Sequence, residues 1–317
     1  MPFKVLITSP KYANYGDYVR DYLSRQGCEQ IAHADHPTMD TATLARYIPD
    51  ADALIVGSEA VTPTVFAAAP RLKVVCAQGV GYDHIDVAAA TAHGAVVAIC
   101  AGANNRAVAE LALGFMLNLA RNIAVTDRGM RNGEWPLTFG PELWGKTLGI
   151  IGLGRVGKSL ALIAEGLGMR VLAADIAWDI TFADAHGVHY VPLPTLLAQS
   201  DFVSLHCPLN ETTRSLIDAA ALARMKPTAY LINTARGPIV HEPALADALR
   251  AGQIAGAGMD VFAIEPNTDN LFVDLPNFVM TSHRGGASHE AIERSIELGL
   301  LNVTSVLHGR DPVARVN

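Results

Sequence analysis

Short apolar runs alternate with stretches of helical period from the first residues onward. Phe3 to Thr8 opens the chain, and Ala53 to Gly57, Lys73 to Ala77 and Ala95 to Ala98 repeat the form. Between them lie stretches of helical length such as Asp17 to Gln26 and Asp86 to Ala92. Runs that stay apolar rather than alternate predict strands buried on both faces, as in a parallel sheet covered by helices. Near residue 108 the pattern changes. Val108, Leu111, Ala112, Phe115, Met116, Leu119 and Ile123 recur at helical steps, which predicts a long amphipathic helix bridging into a second unit. Further runs follow at Thr147 to Ile151, Arg170 to Ala174, Phe202 to Leu205, Ala229 to Ile232, Ala255 to Met259 and Phe278 to Thr281. Ile292, Ile296, Leu300, Val303 and Leu307 then mark one face of a last helix, whose packing partner the periodicity does not give.

Strands alternating with helices predict an α/β protein, and 317 residues suffice for roughly two domains. Half of the residues are hydrophobic, which is an ordinary globular composition. The formal charge of −7 removes the electrostatic footprint of a nucleic-acid or anionic-membrane binder, while leaving room for one small anionic ligand at a local basic site. Cys28, Cys76, Cys100 and Cys207 are far apart and contain no Cys-x-x-Cys pair, so neither a zinc ribbon nor a disulfide framework is expected. No metal site is expected at His186 and His189 either, because no second ligand pair follows them. The opening MPFKVLITSP lacks a signal-type apolar region, and no run approaches the ~18 residues of a membrane helix. The expectation is a cytoplasmic protein. Between Gly133 and Gly145, Trp135, Pro136, Phe139, Pro141 and Trp144 form an aromatic segment with two readings, a packed surface loop or an oligomer arm.

The first chemical motif follows Ile151. Gly152-Leu153-Gly154-Arg155-Val156-Gly157 stands between a strand and a helical stretch, Lys158 to Leu167, and Asp175 ends the next strand about twenty residues on. Gly152 permits the tight turn, Gly154 lets a pyrophosphate approach the backbone, and Gly157 brings helix and strand together. The helix N-terminus supplies N–H groups and a positive dipole end. Asp175 suits ribose hydroxyls and would repel a 2′-phosphate, and Ile176-Ala177-Trp178 offers no basic replacement, so NAD is expected in preference to NADP.

Three further residues stand just beyond predicted strand ends: Arg236, Glu265 and His283. In an open parallel sheet the carboxyl ends border the ligand crevice, so these positions can converge. Taken singly, Arg236 also reads as a surface salt-bridge partner and His283 as a structural histidine.

Taken together, "GVGYDHID", "GLGRVG" with Asp175, "VSLHCPLNETTRSLI", "INTARGPIV", "GAGMDVFAIEP" and "TSHRGGAS" resemble the D-isomer-specific 2-hydroxyacid dehydrogenases over nearly the whole chain. That family includes phosphoglycerate, glyoxylate/hydroxypyruvate and D-lactate dehydrogenases. The resemblance implies two Rossmann- or flavodoxin-like doubly wound parallel-sheet domains. A substrate-binding domain over 1–103 and 285–317 would receive an inserted NAD-binding domain over 104–284. Helical hinges at Val108 to Ile123 and near Gly285 would then let the molecule close over its cofactor.

The implied activity is NAD(H)-dependent interconversion of a small 2-hydroxy acid, of the D-isomer, and its 2-oxo acid. By the same resemblance, Arg236 binds the substrate carboxylate and carbonyl, His283 exchanges the proton and Glu265 pairs with His283. Backbone N–H groups of Val80 and Gly81 hold the substrate carboxylate. The cofactor contacts fall on Val108, Arg155, Val156, Asp175, His206, Cys207, Pro208, Thr213, Thr234, Ala235, Arg236, Asp260, His283 and Gly285. Asp260 is expected to orient the nicotinamide carboxamide, with an ordinary strand-end cap as the competing reading, and Cys207 is expected to be a packed small residue rather than a nucleophile. A homodimer is implied. Two functions share the architecture: phosphite-type dehydrogenases keep the same Arg, Glu and His set, and NAD-sensing corepressors bind protein partners. No extra interaction segment accompanies the core here, which favours the enzyme.

Some positions depart from the family pattern. Ser282 and Arg284 flank His283 where Pro and an aliphatic residue are usual, and His241 stands where an acidic residue is common. Arg284 has two readings, pointing away or facing the crevice as a second anion-binding group. Ser58 and Glu59, in "IVGSEAVT", have two as well: a border of the substrate pocket or ordinary exposed loop polarity.

Overall fold

A computed structural model of the chain describes residues 1–31, 40–267 and 271–317. It divides into two compact units, Met1–Asn104 with Gly286–Asn317, and Asn105–Gly285. The second is thus inserted in the sequence of the first.

The first unit is built on β1 (Phe3–Ile7), β2 (Cys28–Ile31), β3 (Ala53–Val56), β4 (Val74–Ala77) and β5 (Val96–Ile99), in the order β2-β1-β3-β4-β5 and parallel throughout. Successive residues serve opposite cores. Leu6, Leu54, Val56, Val75 and Val97 enter one core, and Val5, Ile7, Ala53, Ile55, Val74 and Cys76 the other. This two-sided burial is why the runs read as continuously apolar. The last helix, His289–Leu307, places Ile296, Leu300, Val303 and Leu307 in the second of these cores, which supplies the partner its periodicity left open. The tail beyond it joins the sheet edge. Ala98 and Arg315 form an antiparallel bridge, and Asn317 accepts from the Val97 amide through its side chain at 2.8 Å.

The second unit carries β6 (Thr147–Ile151), β7 (Arg170–Ala174), β8 (Val188–Tyr190), β9 (Phe202–Leu205), β10 (Tyr230–Asn233), β11 (Gly256–Met259) and β12 (Phe278–Met280). Their order, β12-β11-β10-β9-β6-β7-β8, reverses direction between β6 and β9, the switch point of a doubly wound sheet. Helices Asn105–Arg121 and Arg155–Gly166 bury Ala112, Phe115, Met116, Leu160 and Ala164 on one face. Helices Leu193–Gln199 and Glu242–Arg250 bury Leu196, Leu245 and Leu249 on the other. Among the described residues no single helix is long and apolar enough to cross a membrane.

The aromatic segment does not form a packed loop throughout. Trp135, Leu137 and Phe139 are exposed, Phe139 to 96%. Trp144 lies against the backbone of Gly168 while keeping most of its surface exposed.

Candidate active site

At the switch point of the second unit the chain leaves β6 through Gly152, whose φ of +94° is a left-handed conformation that L side chains rarely adopt. A Cβ there would also lie 2.5 Å from the Cys207 amide nitrogen, so the exit of β9 can cross the loop only because the residue is glycine. A Cβ on Gly157 would lie 2.3 Å from the Gly152 carbonyl, so its absence lets the helix press against the turn. Gly154 is the N-cap of helix Arg155–Gly166. No side chain caps that helix, and the place of a Gly154 Cβ is open. The first-turn amides of Arg155, Val156 and Gly157 are therefore available to an anion. Asp175, at the end of β7, accepts from Leu153 N through Oδ2 at 2.6 Å and from Ala177 N through Oδ1 at 3.0 Å. The carboxylate fastens the glycine turn to β7, and each oxygen keeps a lone pair for a hydroxyl.

Register then sets three polar residues side by side. Leu205, Asn233 and Met259 are neighbours across β9, β10 and β11, so His206, Thr234 and Asp260 follow at the same edge. His206 Nε2 is 2.9 Å from Ser204 Oγ, its Nδ1 is buried without a partner, and burial pushes the imidazole down to about 4, which leaves it neutral. Thr234 Oγ1 is buried and unpartnered too. Burial raises the Cys207 thiol to about 11, with the charge of Asp175 acting in the same direction, so it stays protonated and is no nucleophile. Thr213 pins the following loop by donating to the Pro208 carbonyl at 2.6 Å. Val108 and Gly285 meet beside Asp260: a Cβ on Gly285 would be 3.3 Å from a Val108 methyl and 3.1 Å from Asp260 Oδ2.

Arg236 is held in place by its own turn. Asn233, fully buried at the end of β10, donates to the Arg236 carbonyl at 2.9 Å and accepts from Ala235 N at 3.0 Å, while Arg236 Nη1 donates to the Ala235 carbonyl at 2.7 Å. The next residue, Gly237, lies so close to Phe262 that a Cβ would be 1.9 Å from its carbonyl carbon. That approach brings the Arg236 turn against the segment leading to Glu265. Glu265 accepts from Phe262 N through Oε1 at 2.9 Å and meets His283 Nδ1 through Oε2 at 2.7 Å. Burial opposes its ionisation, but the bonds to His283 and the Phe262 amide, with the charges of His283 and Arg236, outweigh burial and hold the carboxyl below its ordinary value. The arrangement leaves His283 Nε2 for a reacting group.

His283 has φ of +53°, an uncommon conformation for a side-chain-bearing residue, and it is fixed from behind. Asp260, 1% exposed, accepts from Thr281 Oγ1, from Arg284 N at 2.6 Å and from Gly285 N at 2.7 Å, and its carbonyl accepts from His283 N at 2.8 Å. The strand-end cap is thus the role visible for Asp260. Arg284 is exposed and tethered through its backbone. His241 caps helix Glu242–Arg250, accepting from Ala244 N at 3.3 Å. Two residues went unnoticed in the sequence, Asn233 and Glu242. Glu242 accepts from Ala263 N at 2.6 Å and so braces the Glu265 segment; burial and the neighbouring Glu265 charge raise its own carboxyl.

In the first unit Val80, Gly81 and Ser58 lie in loops at the carboxyl edge, and Val80 and Ser58 are exposed. Glu59 is buried, which removes the reading of exposed loop polarity for that residue. His186 pairs with Glu165 at 3.0 Å, and no group of three potential metal ligands gathers among the described residues.

A doubly wound sheet with this glycine turn and a carboxylate–imidazole pair at its carboxyl edge is the arrangement of a dinucleotide-dependent dehydrogenase. Comparison with known proteins narrows it. Residues 113–285 match the family model described as D-isomer specific 2-hydroxyacid dehydrogenase, NAD binding domain. The chain is 41% identical over 278 residues to a glyoxylate reductase of Korarchaeum cryptofilum, covering 85% of this chain and 84% of that protein. It is 42% identical over 269 residues to a D-3-phosphoglycerate dehydrogenase of Mycobacterium leprae, covering 84% of this chain and 51% of that one. The crystal structure of a glyoxylate reductase from Paecilomyes thermophila superposes with a TM-score of 0.89 at 28% identity, covering 99% of this chain and 98% of the other. The chain belongs to the D-isomer-specific 2-hydroxyacid dehydrogenases, and is an oxidoreductase with a nicotinamide cofactor.

Proposed function

We propose that the enzyme reduces a small 2-oxo acid to its D-2-hydroxy acid, and runs the reverse, with His283 as acid and base, Glu265 as its partner and Arg236 on the substrate carboxylate and carbonyl. The observation that carries this reading is the 2.7 Å contact of Glu265 Oε2 with His283 Nδ1, which aims the opposite ring nitrogen outward. Reduction places negative charge on the carbonyl oxygen, and His283 Nε2–H delivers the balancing proton; in oxidation the neutral ring takes the proton back. The Arg236 fork holds the carboxylate in two parallel bonds and polarises the carbonyl. The amides of Val80 and Gly81 belong to the same proposal as further carboxylate donors.

The uncapped helix at Gly154 and the unpartnered Nδ1 of His206 and Oγ1 of Thr234 fit a dinucleotide, with Arg155, Val156, Pro208, Thr213 and Ala235 along its course. When bound, its nicotinamide supplies the hydride. Asp175 favours NAD, since its free lone pairs accept ribose hydroxyls and its charge opposes a 2′-phosphate. The exposed Trp135, Leu137 and Phe139 support a homodimer, in which Phe139→Asp should shift the sedimentation coefficient to that of a monomer. The four cysteines are free, which suits the reducing interior of a cell.

Initial rates with NADH and a panel of glyoxylate, hydroxypyruvate, pyruvate and bulkier 2-oxo acids test the activity. Absorbance of the reduced nicotinamide should fall with at least one. Silence across the panel, with NADH bound, would overturn the proposal.

A further inference from the structure

The first unit has its own switch point. Its sheet order β2-β1-β3-β4-β5 reverses between β1 and β3, and in such sheets the ligand crevice opens at the carboxyl end of that pair. Ser9 follows β1, Gly57 to Glu59 follow β3, and Gln78 follows the adjacent β4. Two backbone bonds keep these exits level: Thr8 N donates to Ile55 O at 3.0 Å and Gln78 N to Val56 O at 2.9 Å. The Glu59 loop is also tied to the loop beyond the glycine turn. Val61 N donates to the His84 carbonyl at 2.8 Å and Asp86 N to the Val61 carbonyl at 2.9 Å, so the segment after Glu59 is anchored to the loop that follows Val80 and Gly81.

The polar groups gathered there are only half satisfied. Glu59 is 6% exposed; its Oε2 accepts from Gly57 N at 2.9 Å, and among the described residues it forms no ion pair. Gln78 is 4% exposed, its Oε1 accepts from Ser9 Oγ, and its Nε2 is buried with nothing to donate to. Both groups flank Ser9, which hydrogen-bonds Gln78 and shares with Glu59 Oε2 the space beside Gly57. A buried amide donor without an acceptor there, with a carboxylate that has no cation among the described residues, calls for an explanation where a ligand is expected.

Resting on the dehydrogenase reading above, we infer that Glu59, Gln78 and Ser9 select the substrate's tail, accepting a neutral hydroxyl-bearing 2-oxo acid and rejecting one that carries a second anionic group. A hydroxyl meets both needs at once, donating to the Glu59 carboxylate and accepting from the Gln78 amide. A phosphate or second carboxylate can accept from Gln78, but it has no proton for Glu59 and meets its charge where little water screens it. The nearby 3-10 helix Pro10–Tyr15 carries Lys11, whose charge acts on Cys100. Were Lys11 to govern the tail instead, the preference would invert.

The test uses the intact enzyme with NADH and three acids: glyoxylate, hydroxypyruvate and 3-phosphohydroxypyruvate. For the native enzyme kcat/KM should favour hydroxypyruvate over its phosphorylated form by on the order of a hundredfold. Glu59→Gln should collapse that ratio about tenfold or more by raising turnover of the phosphorylated acid, and Gln78→Leu should cost hydroxypyruvate about tenfold more than glyoxylate. Turnover of glyoxylate together with an equal or greater preference for the phosphorylated acid overturns the selector alone, and the native enzyme decides that even if Glu59→Gln fails to fold. Silence towards all three acids, with NADH bound, overturns the dehydrogenase reading and the selector with it.

Discussion

The carboxyl edge of the seven-stranded sheet carries Asp175, His206, Asp260, Glu265 and His283, whereas that of the five-stranded sheet carries Ser9, Glu59, Gln78 and the turn at Gly79 to Gly81. Both edges come from the same kind of doubly wound parallel sheet, so the difference lies in the side chains grafted onto them. On the larger sheet the polar groups around His283 form a chain of mutual constraint, while His206 Nδ1 and Thr234 Oγ1, where the dinucleotide is proposed to lie, stay unpartnered. Asp260 clamps the backbone around His283, Glu265 fixes the ring, and Glu242 and Asn233 brace the segments that carry Glu265 and Arg236. On the smaller sheet the Gln78 amide keeps an unmet donor, and the Glu59 carboxylate lies buried on the other side of Ser9. A constrained network suits proton transfer, which needs fixed geometry; an unsatisfied one suits discrimination, which needs a partner to complete it.

If that division holds, substitutions at the larger edge should lower turnover for every acid alike. His283→Ala should have the largest effect, a fall in kcat of about 10² to 10⁴ with NADH still bound by fluorescence titration. A comparable loss confined to one substrate would break the comparison. Glu265→Gln should cost less, about tenfold to a hundredfold, the scale of one hydrogen bond to a charged group. Because the Glu265 carboxyl is held below its ordinary 4.5, its support for His283 should persist as pH falls to that value and fail only beneath it. The pH profile of kcat/KM checks this: an acid limb that disappears in Glu265→Gln belongs to the pair.

How much of this was legible beforehand follows from where each constraint is encoded. The runs that predict β6, β7 and β9 match those strands residue for residue, because burial on both faces leaves an unbroken apolar stretch. Cys28–Ile31 and Val188–Tyr190 carried no such signal, since edge strands tolerate Glu29, Gln30 and His189. The glycine turn was readable because its chemistry is local, six residues between a strand and a helix. Asn233 falls one residue past the apolar run, as the last residue of β10, and Glu242 acts on Ala263, twenty-one residues away, so nothing in the surroundings of either announces its bracing role. The burial of Glu59 depends on how two loops meet, and the pairing of the tail with β5 rests on the backbone and on Asn317 rather than on an apolar run.

Asp175 sharpens the comparison on the cofactor side. Asp175→Ala should weaken NAD roughly tenfold and raise the NADP-to-NAD ratio of kcat/KM by a similar factor, since it removes both an acceptor and a like charge. The ratio between 2-oxo acids should not move with it, and a change there would tie tail selection to the larger sheet after all.

The smallest expected effect separates the two units by their response to acid. His206 is pushed from its ordinary 6.5 to about 4 by burial, so the unfolded chain takes up a proton between those values that the folded one refuses. A folded value below the unfolded one means stability that is present above pH 6.5 and declines as pH falls towards 4. The shifts in the first unit run the other way, burial raising Tyr12 and Cys28 and a hydrogen bond with Cys76, helped by burial, raising Cys100, groups that stay uncharged in acid on either side of folding. Between pH 6.5 and 5, above the range of ordinary carboxyls, His206 should therefore cost the second unit on the order of 1 kcal/mol, discounted for partial exposure of the ring. Amide hydrogen exchange at the two pH values reads this unit by unit. Protection should fall first in β6, β9 and β10, and His206→Gln, which keeps a side chain able to reach Ser204, should flatten the decline. Equal loss in β3 and β4 would place the acid sensitivity elsewhere and remove His206 as its cause.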